Sequence, residues 1–255
     1  MALTPTGSGR LQVLQAVEDG WAAFCRAPWA FLLFEVLAGA ILLPFLALVG
    51  LGAGRLGEVP ELLGVHPTGA WLALIVGLIG YVIVLLWALV GLTRAAWLAL
   101  GGHKPAFADF VRWDPAAALR LLGSALLLAI VVAVVGAAAS LLGLGLGRIN
   151  QALGAIPVLL VGIFYLWLAI TQKFLVQVSL LGSEQPLDTL RSGFSVVNPS
   201  WGMVLWLAVV EAVLQMIAAL FSYGGLLVVW PVLICISTAA YRQLFGADDR
   251  TGLLS

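Results

Sequence analysis

The chain predicts an all-α fold, a polytopic bundle of six membrane-spanning helices, and three observations predict it. Of the 255 residues 63% are hydrophobic and 9% charged, against roughly 25% charged in soluble domains. Six stretches, 36–54, 67–93, 121–147, 149–172, 192–210 and 212–241, contain no Asp, Glu, Lys or Arg. Each is long enough to cross a ~30 Å hydrocarbon layer at about 1.5 Å per helical residue. The third observation is where the charge falls. With the amino terminus inside, Arg10, Arg26, Arg94, Lys104, Arg112, Arg120, Lys173, Arg191, Arg242 and Arg250 are cytoplasmic or at the inner edge, and only Arg55 and Arg148 lie outside. That bias in short loops sets orientation, so both termini are expected in the cytoplasm. The formal net charge of zero conceals this asymmetry.

The spans follow in order. The first, 29–53, starts at Trp29, carries Glu35 and contains Pro44. The residues before it lack the compact basic, apolar and small-residue pattern of a cleaved signal peptide, so this span is expected to be retained. A longer external loop with Arg55, Glu58, Glu61 and His66 leads to the second span, 70–98, with Trp71 near one end and Arg94 and Trp97 near the other. The third, 118–146, begins beside Arg120, and the fourth, 155–180, carries Gln172 and Lys173 in its inner half. The fifth, 201–222, starts at Trp201 and carries Glu211 and Gln215. A tight hairpin at Ser222-Tyr223-Gly224-Gly225 leads into the sixth, 225–245, which contains Pro231. The tryptophans and Tyr223 near span ends suit membrane interfaces. Prolines inside spans are accommodated by neighbouring helices.

A unit recurs three times. An amphipathic stretch ends in an X-Pro step before the first, third and fifth spans: Ala27-Pro28, Asp114-Pro115 and Asn198-Pro199, separated by 87 and 84 residues. Proline disfavours helix at the residue before it and suits the first turn after it. These positions are therefore expected helix breaks, with Asp114 and Asn198 able to cap the helices that follow. Leu14, Val17, Trp21 and Phe24 recur at helical spacing, as do Leu187, Leu190, Phe194 and Val197, with Phe107, Phe110 and Val111 as a shorter version. Chain 1–255 thus reads as one integral membrane domain of three tandem units. Each is an interfacial helix plus a transmembrane hairpin, at approximately 10–102, 103–183 and 184–246, with a short polar tail 247–255. All three units run in one orientation, unlike the inverted repeats of many transporters.

This plan of six spans, inward termini and amphipathic segments ending in Ala-Pro-Trp, Asp-Pro or Asn-Pro steps resembles several uncharacterised bacterial membrane families. These are related to the membrane domain fused to some glycerophosphodiester phosphodiesterases. The resemblance covers most of residues 10–246 and rests on pattern. It implies a bacterial membrane module and transfers no active-site residue, because no region of this chain matches the catalytic part.

Glu211 lies ten positions after Trp201, about 15 Å along a helix and near the bilayer midplane, where a charged side chain costs a few kcal/mol. Gln215 is one turn further on and within reach of it. Glu35, Arg94, Gln172, Lys173 and Arg120 together suggest a polar cluster in the cytoplasmic half of the bundle. Its two readings are a cavity for a polar or anionic small molecule or lipid headgroup, and interhelical pairing that sets how the spans pack. Gly77, Gly80, Gly136, Ser140, Gly143 and Gly147 permit close helix approach.

Cys25 and Cys235 fall at different depths and read as small apolar fillers. His66 and His103 fall on opposite faces, so no metal pair is expected. No Cys-x-x-Cys, His-Glu-x-x-His or Walker-type loop occurs, and Gly193 and Ser195 do not make a nucleophile elbow. No cofactor, nucleic acid or catalytic constellation is expected. The function expected is non-enzymatic, the scaffolding, assembly or regulation of membrane components in a bacterial plasma or internal membrane. The bilayer surrounds the chain, and the expected partner is another membrane protein or a second copy. The alternative is a small-molecule or lipid transporter or channel that uses Glu211 and the inner polar cluster. A third reading is an accessory of a lipid-modifying enzyme.

Overall fold

The computed structural model describes residues 10–57, 67–182 and 185–254. Glu58, Glu61 and His66 lie outside them, and the side chains of Arg55 and Tyr223 are likewise not described. The regular elements among the described residues are all helical, and six helices are long and apolar enough to cross a membrane. This is an integral membrane protein in contact with the lipid bilayer.

Helix α1 (Val13–Arg26) precedes the hairpin of α2 (Pro28–Gly57) and α3 (Pro67–Leu100). Helix α4 (Phe107–Val111) precedes α5 (Pro115–Gly147) and α6 (Gln151–Thr171). A broken segment then holds α7 (Leu175–Gln177), a π-helical turn (Val178–Gly182) and α8 (Pro186–Ser192). Helices α9 (Trp201–Leu220) and α10 (Ser222–Phe245) close the bundle. Burial identifies the axis: 61% of the apolar window of α10 is buried inside the protein, against 6% in α5 and 11% in α6. Helix α10 touches α1, α2, α3 and α9, whereas α5 and α6 pack chiefly on each other. Both described ends lie on one face of the bundle, since Gln12 N donates to Gln243 Oε1 at 2.8 Å and the tail carbonyl of Leu253 meets Arg94 of α3. We call this the terminal face.

Two of the three expected breaks occur as read. Ala27 leaves the helical region at φ −149°, ψ 54°, which separates α1 from α2. Asp114 is extended, and its Oδ1 accepts from Ala117 N at 2.9 Å, so it caps α5 behind Pro115. The third expectation is corrected. Asn198 is helical at φ −57°, ψ −42°, and a π turn (Gly193–Val197) and a 3₁₀ turn (Asn198–Ser200) carry α8 into α9 without an extended residue. The wider π turn accommodates the proline ring and its missing N–H, which would disrupt a regular α-helix. The fourth span also differs: α6 ends at Thr171, and Gln172 and Phe174 are non-helical. Its start is earlier than expected because Asn150 caps it, accepting from Ala152 N at 2.8 Å. The last hairpin turns at Phe221, and Ser222–Gly225 already belong to α10.

Helix α1 shows how its sequence sets its position. At 100° per residue its side chains sort into three sectors. Ala16, Gly20 and Ala23 are buried against the bundle, Leu14 and Trp21 are exposed apolar groups, and Glu18, Asp19, Cys25 and Arg26 form an exposed polar row. Such a division suits a helix with protein on one side, lipid on another and water on the third. Of the apolar stripe read from sequence, Phe24 turns inward, Val17 is half-buried, and Leu14 and Trp21 point away. The small residues permit contact with α10. A Cβ at Gly20 would sit 2.6 Å from the backbone of Ile236. We expect Gly20→Ala to lower stability by about 1–3 kcal/mol through overpacking and to expose α1 to protease. Gly202→Ala, whose Cβ meets nothing within 4 Å, is expected to leave the melting temperature of the detergent-solubilised protein unchanged or raise it.

Glycine has the same use in the hairpins. A Cβ at Gly77 would come within 2.7 Å of Val49 N, and one at Gly154 within 2.8 Å of Gly147 Cα. Trp29 and Trp71 are well exposed, as interface residues should be, but Trp97 is buried beneath Arg242, whose guanidinium carbon lies 5.0 Å from the ring centroid.

Candidate functional site

The polar residues inside the apolar bundle occupy separate places. Among the described residues, no hydrogen bond or ion pair joins Glu35, Arg94 and Lys173 to one another.

Arg94 is 2% exposed and acts as a hub. Its Nε donates to the carbonyl of Leu253 at 3.2 Å. Nη1 donates to the carbonyls of Asp109 at 3.2 Å and Arg112 at 2.9 Å, and Nη2 reaches Asp114 Oδ2 at 3.5 Å. One guanidinium thus ties α3, the segment from α4 to α5, and the C-terminal tail. Neighbouring aromatics tighten the same region. Phe110 of α4 meets Phe31 edge-on at 4.9 Å and Phe34 at 5.4 Å, and it comes so near Gly91 that a Cβ there would lie 2.3 Å from its carbonyl oxygen. The tail is ordered by Asp249, which accepts from the backbone N–H groups of Thr251, Gly252 and Leu254. Thr251 Oγ1 donates to the Leu180 carbonyl, and Leu253 is fully buried.

Glu211 is 6% exposed, and both carboxylate oxygens are engaged. Oε2 pairs with Lys173 Nζ, and Oε1 accepts from Ser237 Oγ of α10 at 3.0 Å. One expectation changes here. Glu211 bonds Lys173 and Ser237 rather than Gln215, which is exposed on the α9 surface. Lys173 stands two residues past the end of α6. The break after α6 frees the lysine to turn back toward the bundle.

Gln172 and Arg120 belong to neither group. Gln172 Nε2 donates to the Leu190 carbonyl at 3.1 Å, and its amide fills the space beside Gly193, where a Cβ would be 2.8 Å away. Arg120, on the first turns of α5, has Nε and Nη2 shielded with no acceptor among the described residues. Pro28, Pro115 and Pro199 stand at the junctions already described.

Glu35 and Gln215 do share a site. They line one groove of about 740 Å³ between α2, α9 and α10, otherwise walled by apolar residues such as Leu42, Leu43, Leu46 and Trp230. The sequence pairing of Glu211 with Gln215 missed this, because Glu211, one turn earlier on α9, is taken by Lys173 and Ser237 and leaves Gln215 exposed to the groove. Ser237 was also missed: it lies sixteen residues after the turn at Phe221, whereas Glu211 lies ten before it, so counting outward from the hairpin does not pair them.

Comparison of this chain with protein-family models, curated proteins and solved structures finds no match. Fold and site therefore define a class, an integral membrane protein of six apolar helices whose internal charges are held in separate networks.

Proposed function

We propose that this is a non-enzymatic membrane protein that scaffolds, assembles or regulates other membrane components, with the terminal face in the cytoplasm. The observation that carries this reading is the use made of the buried charges. Arg94 is spent on joining three backbone segments, and Glu211 on joining α9, α10 and the segment after α6. A proton or ion pathway needs groups that release one partner and take another, whereas both oxygens of Glu211 are occupied inside the bundle. The terminal face is accordingly a fixed platform, and the exposed polar row of α1 is its surface for a partner. The three units α1–α2–α3, α4–α5–α6 and α8–α9–α10 each deliver one segment to that platform. Likeness to the membrane domains attached to phosphodiesterases favours a module that works beside an enzyme.

The test is assembly state in a mild detergent, before and after Glu18→Arg on the exposed face of α1. A stoichiometric complex with another membrane protein or a second copy, dissociated by that substitution, is expected. Monomer alone, even after crosslinking in the native membrane, would sink the proposal. So would substrate flux by the purified protein in liposomes.

A further inference from the structure

The groove between α2, α9 and α10 has the wrong composition for an accidental gap between lipid-facing helices. Its walls are leucines, valines and Trp230, with one acid, Glu35, and one amide, Gln215. Glu35 is half-buried, and no described residue donates to it. An acidic side chain facing an apolar groove is costly without a donor, and no described residue of the protein supplies one.

Position narrows what can. Helix α2 has 30 residues, about 45 Å of helix against a ~30 Å hydrocarbon layer, so its first turns can lie at headgroup level. Glu35 is seven residues from Pro28, about 10 Å from that end, beneath exposed Trp29. Gln215 lies one turn beyond Glu211 toward the opposite face, and Leu46 and Leu227 further that way. The groove is therefore graded along the membrane normal, with an acceptor nearest the terminal face, a single amide in the middle and hydrocarbon beyond.

We propose that this groove holds one glycerophospholipid whose headgroup bears a primary ammonium. The ammonium donates to Glu35, the Gln215 amide donates to an ester carbonyl of the glycerol region, and an acyl chain lies along Leu42, Leu43, Leu46 and Trp230. A carboxylate distinguishes a primary ammonium, with three N–H donors, from a quaternary one with none. The choice of ethanolamine-type over choline-type lipid follows from that difference. This site is independent of the assembly reading and survives its failure.

The test is native mass spectrometry of the delipidated protein in detergent, titrated with phosphatidylethanolamine, phosphatidylcholine or phosphatidylglycerol of identical acyl chains. One phosphatidylethanolamine is expected to bind about tenfold more tightly than the other two, the size of one hydrogen bond to a charged group. Glu35→Leu is expected to abolish that preference while acyl binding persists. Gly39→Leu, on the groove wall where a Cβ meets nothing within 4 Å, is expected to weaken all three lipids without a loss of melting temperature. Equal binding of the three lipids by the unaltered protein overturns the proposal, and so does a preference that survives Glu35→Leu. A dimer that excludes lipid and is broken by Gly39→Leu also overturns it, by assigning the groove to a second copy.

Discussion

Arg94→Ala is expected to release the C-terminal tail and to cost roughly 3–5 kcal/mol, the range seen when one partner of a buried charged network is removed. The side chain is 2% exposed and donates to three carbonyls, those of Leu253, Asp109 and Arg112, besides facing Asp114. Truncation leaves the Leu253 carbonyl enclosed without its donor and removes the guanidinium from the part-buried carbonyls of Asp109 and Arg112, and an orphaned buried acceptor costs about 1–3 kcal/mol. Arg94→Lys is not expected to restore stability, because a single ammonium cannot reach acceptors arranged around a planar fork. Asp114→Asn should do much less. Its contact with Arg94 is long, at 3.5 Å, its side chain is 21% exposed, and asparagine can still cap α5. The measurements are a melting curve in detergent and limited proteolysis of residues 246–255. Unchanged tail protection in Arg94→Ala would show that Leu253 and Asp249 hold the tail without the arginine.

The tail also shows where sequence reading reaches its limit. Membrane spans were legible because a long uncharged run has one stable solution in lipid, and five of the six helices lie where charge-free runs and tryptophans placed them. The fourth span failed at its end. Residues 155–180 are apolar enough to be read as one helix, yet the chain breaks at Gln172, where Lys173 gains Glu211 as a partner and Gln172 gains the Leu190 carbonyl. That preference arises from residues 18 and 38 positions away, so no local period records it. The break at Asn198-Pro199 failed for a related reason. Proline's local bias was outweighed by a π turn that lets α8 continue into α9 while Val197 is fully buried. The stretch 247–255 reads as a short polar tail, but Leu253 within it is buried on the terminal face. Ser237 was not legible as the partner of Glu211, because the turn falls at Phe221, ten residues from the acid and sixteen from the serine. The groove around Glu35 was not legible, because it depends on how α2 meets α9 and α10 across more than 170 residues of chain.

Glu211 separates a structural charge from a working one, and substitution at its two partners is expected to show which it is. Glu211→Leu should destabilise by about 3–5 kcal/mol, because Lys173 keeps its charge in a largely buried place with no counter-ion. Lys173→Met should cost a similar amount by stranding the carboxylate, and Ser237→Ala only about 1 kcal/mol, the net worth of one hydrogen bond. The double variant Glu211→Leu with Lys173→Met is expected to recover most of the loss, since neither charge then needs a partner. The coupling energy of that cycle should far exceed the few tenths of a kcal/mol typical of independent sites. Glu211→Gln keeps one acceptor oxygen for the lysine while its NH2 can donate to Ser237 Oγ, so it should fold with an intermediate loss. A proton carrier behaves otherwise: Glu211→Gln would fold normally yet abolish any proton-linked activity, and the apolar double variant would be inactive however stable. With both oxygens bonded and Lys173 only 17% exposed, the energetic cycle is expected to close on stability alone. A double variant whose loss equals the sum of its two parents' losses would mean that the pair is not coupled, and the account of how the segment after α6 is held to α9 would fall with it.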